Sequence, residues 1–127
     1  MAAVHAGWRG TISRIVERAL EQLFAAGSRP QDVLAAVGPA IQSCCYEVGA
    51  DLGERFESEF GPTVVVPGGK PHLKLNEAVK LSLLKRGVPA AQIELRPECT
   101  SCDPRFYSHR RDKGVTGRHL SFIAHRF

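Results

Sequence analysis

No run of apolar residues in this chain approaches the roughly 20 that a membrane-spanning helix requires. The longest, such as Val33 to Val37 and Val64 to Val66, fall far short, so a membrane role is excluded at this level. The N-terminus, Met1-Ala2-Ala3-Val4-His5, lacks the basic start, apolar core and small-residue cleavage site of an export signal. Cysteine is too scarce for the disulfide framework of a secreted mini-protein: there are four, two of them adjacent (Cys44, Cys45). These absences lead us to expect reduced thiols in the cytoplasm. There is no internal repeat, low-complexity tract or linker, and 127 residues that are 43% hydrophobic and 24% charged fit a single domain, 1–127.

The charge is local. Residues 105 to 127 carry Arg105, Arg110, Arg111, Lys113, Arg118 and Arg126 against one acid, Asp112, a charge of +5 that leaves the rest at −1 within a total of +4. A nucleic-acid binder spreads its cations over a face with aromatic stacking partners. A compact arginine cluster suits a small anion such as phosphate, so we expect a small-molecule partner and no nucleic acid.

Ala2 to Ala6 reads as a short buried strand, and Gly7-Trp8-Arg9-Gly10 as a tight loop. Apolar Ile12, Ile15, Val16, Ala19, Leu20, Leu23 and Phe24 then recur at helical spacing. They predict one amphipathic helix, with Thr11 as its N-cap and Gly27 and Pro30 ending it. Val33 to Val37, closed by Gly38-Pro39, predicts a strand covered on both faces. A loop follows around Cys44-Cys45-Tyr46, then a helix over about Ala50 to Phe60 and a strand at Thr63 to Val66. Leu75, Ala78, Val79 and Leu83 mark another helix stopping at Gly87, and Gln92 to Leu95 a further strand. Phe106 to Arg111 and Leu120 to Arg126 predict an antiparallel pair about a turn containing Gly114 and Gly117. The sum is an α/β (α+β) fold, a mixed sheet with packed helices.

Four stretches could carry chemistry. In His5-Ala6-Gly7-Trp8-Arg9-Gly10, two glycines let the backbone turn sharply before a helix N-terminus, and Arg9 adds a forked cation, a combination suited to an anion. His5 offers a nitrogen to a metal or a proton to a substrate. In an extended loop adjacent side chains point opposite ways, so only one of Cys44 and Cys45 easily faces a given site, and both read as inert buried thiols. Cys99-Thr100-Ser101-Cys102 is a C-x-x-C without a second such pair, which does not indicate a zinc ribbon. Strand alternation puts Arg110 and Arg111 on opposite faces, so only one of them reaches a common site. We favour Arg110.

Together these stretches, His5 to Thr11, Gly38 to Ile41 with Cys44 to Gly49, Cys99-Thr100, and Phe106 to Asp112 with Thr116 to Arg118, closely resemble the YfiH-type family. This family was long labelled multicopper polyphenol oxidoreductases or laccase-domain proteins. The resemblance covers nearly the whole chain and matches the C-terminal half of a member. It implies the YfiH-like fold and a zinc-dependent purine nucleoside phosphorylase acting on adenosine, inosine or methylthioadenosine, with adenosine deaminase activity. It implies that His5 is one of three metal ligands, the other two belonging to upstream Q-x-H-G and A-D-C-L-P stretches that this sequence lacks. Lys74 and Gln42-Ser43 depart from the family pattern. The site expected is a cleft with His5, Arg9 and Arg110 as catalytic residues and Gly10, Thr11, Arg111 and Arg118 binding phosphate. Two alternatives are kept. One is copper-dependent polyphenol oxidation, although five scattered histidines (His5, His72, His109, His119, His125) show no H-x-H pattern. The other is a truncated product that binds anions without turnover, as a homodimer covering an exposed sheet edge.

Overall fold

The structure, a computed structural model, describes residues 1–124. Four helices and four short strands follow one another as α1 (Trp8–Ile12), α2 (Ile15–Ala25), β1 (Ala35–Val37), α3 (Ala50–Phe60), β2 (Val65–Val66), β3 (His72–Leu73), α4 (Leu75–Lys85) and β4 (Ile93–Leu95). β1 and β4 pair in parallel, with Ala36 opposite Glu94, and β2 and β3 pair antiparallel, with Val65 opposite Leu73. Strands of both senses with helices packed on them agree with the predicted class.

α4 is the common wall of two apolar clusters. Its Leu75 and Ala78 join Tyr46, Phe56, Val64 and Leu73 in the first, while its Val79 and Leu83 join Val16, Leu20 and Val88 in the second. Burying one face in each cluster stabilises the helix far more than propensity does. It ends where the periodicity predicts, at Gly87, whose φ of +84° suits a residue without Cβ. α3 likewise matches its predicted span and buries Phe56 completely.

The single helix predicted after Gly10 is two. Arg14 adopts the left-handed conformation (φ 61°, ψ 39°) and separates α1 from α2. The break has a packing reason: Trp8 and Ile12 lean on the first cluster, whereas Ile15, Val16 and Leu20 belong to the second. Gly10 of α1 faces α2 closely: a Cβ there would lie 3.2 Å from Ile15 Cγ2. Thr11 is not the N-cap. It lies inside α1, wholly buried, its N–H donating to Gly7 O (2.8 Å) and its hydroxyl to Ala6 O (3.2 Å).

Other segments also differ from the prediction. Ala2 to Ala6 forms no strand, and residues 1 to 5 are exposed. β1 is covered on one side only, through Val33, Ala35 and Val37 on the second cluster, while Leu34 is 80% exposed. Residues Pro62–Val64 make a 3₁₀ turn before β2. The C-terminal antiparallel pair is absent among the described residues. Phe106 to Gly114 instead winds through successive turns closed by Asp112 N–H to Ser108 O (2.8 Å) and Gly114 N–H to His109 O (2.9 Å). The end of the predicted strand Leu120 to Arg126 lies outside the described residues.

Candidate functional site

Arg9 and Arg110, from distant parts of the sequence, rest on aromatic residues of one core cluster. The Arg9 guanidinium lies 4.7 Å from the Trp8 ring centroid and the Arg110 guanidinium 5.5 Å from that of Tyr46. Tyr46 is a buried member of the first cluster and Trp8 packs against it. Arg110 Nη1 also donates to Glu47 O at 2.9 Å. Both arginines are exposed and keep donors free for an anion, because a guanidinium carries five N–H groups in a fixed fork. Beside them the Glu47 carboxyl is held below its usual range, chiefly by its hydrogen bond from Lys70 at 3.0 Å.

Arg111 is differently employed. It donates to the carbonyls of Thr100, Asp103 and Phe106 and to the Asp112 carboxylate (Nε to Oδ1, 2.8 Å). Asp112 in turn accepts from Thr116 Oγ1 (2.7 Å) and Ser108 N–H (3.2 Å). Arg111 and Asp112 therefore shape the turn that presents Arg110. Opposite strand faces do not separate the two arginines, as no strand forms there; their hydrogen bonds do. Arg118 donates to the carbonyls of Thr116 and Gly117 (3.3 and 3.0 Å).

His5 is exposed and folds back over Gly7, so that a Cβ there would stand 3.0 Å from His5 Nε2. Hollows of about 300 and 190 Å³ are lined by α3 and α4 and by α2 and α4, and neither includes His5, Arg9 or Arg110. Nor does His5 fit a metal site by itself. Among the described residues the group of three or more histidine, cysteine or acidic ligands close enough for one ion does not contain it, and catalytic zinc generally takes three protein ligands.

That group is Cys44, Cys45, Cys99 and Cys102, whose sulfurs all lie within 4.8 Å of one another. Cys102 Sγ is 3.4 Å from Cys44 Sγ and 3.3 Å from Cys45 Sγ. The sequence reading of inert thiols facing apart is corrected here for a local reason. Residues 43 to 45 form a turn, with the N–H groups of both Cys45 and Tyr46 bonded to Gln42 O at 2.9 Å, so the adjacent side chains do not alternate. Tertiary structure supplies the other half: beyond the β1–β4 ladder the chains stay side by side in a parallel bridge between Ala40 and Cys99. This carries the Cys pair to the C-x-x-C turn. All four thiols are free. Burial works to raise the Cys99 thiol, but N–H groups of Gln42, Cys102 and Ser101 aimed at its sulfur bring it down to about 6. Cys102 is pushed up by its thiol neighbours, Cys45 first, and Cys44 by burial. The one sequence signal was the C-x-x-C; its partner pair is adjacent rather than spaced.

The family model described as multi-copper polyphenol oxidoreductase laccase matches residues 1–126. A protein named purine nucleoside phosphorylase YlmD, from Geobacillus stearothermophilus, is 40% identical in an alignment that covers 96% of this chain and 47% of that protein. Adenosine deaminase RL5, from an unknown prokaryotic organism, is 37% identical over 97% of this chain and 49% of its own length. The crystal structure of YlmD from Geobacillus stearothermophilus superposes with a TM-score of 0.83 at 37% identity, covering 90% of this chain and 45% of that one. The chain spans about half the length of these relatives. It belongs to the multi-copper polyphenol oxidoreductase laccase family, and its fold is that of YlmD.

Proposed function

We propose that this chain supplies the arginine-bearing half of a cytoplasmic purine nucleoside phosphorylase, with adenosine deamination as a second activity. The observation that carries the reading is the match over nearly the whole chain to relatives bearing those names, joined to two guanidinium groups seated on one aromatic cluster. In phosphorolysis a phosphate oxygen forms a bond to the sugar carbon as the bond from that carbon to the purine nitrogen breaks, and the base leaves. Arg9 and Arg110 bind the phosphate dianion through forked hydrogen bonds and hold it for attack. Stacking on Trp8 and Tyr46 fixes their planes beforehand, so less side-chain freedom is lost when phosphate arrives. Gly10 and Thr11 position Arg9 through the α1–α2 junction, and Arg111 and Arg118 position Arg110 and the turn behind it. His5 is assigned as a ligand of the zinc the family resemblance implies, completed by ligands from outside this chain.

The test is phosphate-dependent cleavage of inosine by this chain joined to the N-terminal half of the Geobacillus relative. Hypoxanthine and ribose 1-phosphate are the expected products. A fusion that is folded by circular dichroism and gel filtration yet releases no base, or releases it equally without phosphate, overturns the reading. Copper-dependent phenol oxidation, which the family's description favours, predicts instead that the same protein holds copper and consumes oxygen with a phenol.

A further inference from the structure

We propose that Cys44, Cys45, Cys99 and Cys102 bind one zinc ion as a tetrathiolate, a structural site separate from any metal at His5. Zinc bound tetrahedrally at about 2.3 Å per sulfur sets its ligand sulfurs about 3.8 Å apart. Here two sulfur pairs stand at 3.3 and 3.4 Å and none exceeds 4.8 Å, so each separation lies within about 1 Å of the tetrahedral value. The donors are four soft sulfurs with no oxygen or imidazole among them, the set that selects zinc or iron over magnesium, calcium or manganese.

Two further features point the same way. Gln42 N–H donates to Cys99 Sγ at 3.4 Å, from the loop that carries Cys44 and Cys45 to the sulfur of the C-x-x-C turn. Such N–H groups orient a metal-bound thiolate and offset its charge. A disulfide would not satisfy this arrangement: Cys102 is equally close to Cys44 and Cys45, and bonding either leaves the other two thiols unused. Cys44 and Cys102 are exposed while Cys99 is buried, which gives the ion a route in and a protected face. On binding, each thiol passes its proton to solvent and its sulfur gives the metal an electron pair.

The ion's place in the fold defines its task. It joins the loop before Tyr46 to the segment that starts at Cys99, next to the Thr100 N–H bond to Ala40 O (3.1 Å) and the Arg111 bond to Thr100 O (3.2 Å). Tyr46 and Arg110, which stack on each other, belong to the two segments it fastens.

The chain, purified under reducing conditions without a metal-chelating tag, is analysed for metal and titrated with Co(II) after zinc removal. We expect one zinc per chain and, with cobalt, the intense visible bands of a tetrahedral site together with sulfur-to-cobalt charge transfer, both abolished by one equivalent of zinc. His5→Ala should keep this site. Cys45→Ser and Cys102→Ser should each weaken zinc binding by more than about 10-fold, because losing even a supporting hydrogen bond costs 10–100-fold. Wild-type protein without zinc and without thiolate–cobalt bands overturns the proposal, as does anaerobically prepared protein in which peptide mapping finds Cys102 disulfide-bonded. Stoichiometric iron in place of zinc overturns the identity of the ion.

Discussion

Arg110 bonds to the main chain of Glu47, Nη1 to O at 2.9 Å, across 63 residues of sequence. Its guanidinium thereby covers the Tyr46 ring and is tied to the loop that also carries Cys44 and Cys45. The bond reaches a carbonyl rather than a carboxylate; the Glu47 carboxylate takes its hydrogen bond from Lys70, with the charge of Arg110 a smaller influence. An anchored cation of this kind is poised for an anionic substrate, in contrast to Arg111, whose partners include Asp112.

Arg110→Ala should cost little stability and much phosphate affinity. The exposed stacking and one carbonyl bond contribute about 0.5–1 kcal/mol, within reach of a thermal melt. Losing charged hydrogen bonds to phosphate, about 1.5–3 kcal/mol, should raise KM for phosphate about 10- to 100-fold in the paired enzyme. Arg110→Lys should restore little, as an ammonium lacks the fork. Unchanged phosphate kinetics in the alanine variant would remove Arg110 from the site.

Gly7→Ala separates the orientation of His5 from the stability of the fold. The new Cβ would stand 3.0 Å from His5 Nε2. Because that ring is exposed it can swing away, so the melting free energy should change by no more than about 0.5 kcal/mol. The imidazole should nonetheless move, seen as altered His5 ring resonances, and phosphorolysis by the paired enzyme should fall, as is also expected for His5→Ala. Retained activity with displaced resonances would take the orientation of His5 out of the reaction.

Where the sequence was legible, local chemistry and tertiary packing agree. α3 and α4 have helical apolar spacing and glycines just past their ends, and β4 alternates apolar and charged residues, Ile93-Glu94-Leu95, shortly after Pro89. The break at Arg14 was hidden because Ile12 and Ile15 continue one periodic stripe although they face different clusters. The C-terminal residues alternate like a strand, yet Asp112 gathers Ser108 N–H, Arg111 and Thr116 into turns. Side-chain bonds of that kind compete with strand ladders and leave no periodic trace. At the candidate site, alternation separated Arg110 from Arg111 without choosing between them; the structure separates them by where each finds its acceptors. The four-cysteine cluster could not be read, since it depends on the parallel pairing of β1 and β4 carrying residue 40 alongside residue 99.

Gly53→Ala should destabilise the protein although it improves the helix. Alanine gains about 1 kcal/mol of propensity over glycine inside α3. Its Cβ, however, would meet Pro71 Cγ and Cβ at 3.0 and 3.2 Å. Pro71 is a stiff ring whose carbonyl is fixed by Val48 N–H at 2.9 Å. Overpacking of this kind costs about 1–3 kcal/mol, so a net loss of about 1 kcal/mol is expected in the urea midpoint. A stabilised variant would mean that the β3 turn yields freely.

Acid should loosen the C-terminal turn before the helical core. Hydrogen bonds from Arg111, then from Thr116, lower the Asp112 carboxyl from its ordinary 3.8 to about 2. A carboxyl whose folded value is depressed favours the fold in its ionised form. Its contribution is therefore complete above about pH 4 and disappears as pH falls through about 2, because below that the folded state gains no more than the unfolded one from losing the proton. Asp112→Asn keeps the shape but not the charge, so stability should already be lower at pH 7 and vary less between pH 4 and 2 than in the wild type. Asp112 N–H bonded to Ser108 O at 2.8 Å lies in the same turn and gives a local probe: its hydrogen exchange should accelerate over that pH window in the wild type. If exchange there and at α4 rise together, the turn is not an independent unit and Asp112 acts on the whole fold.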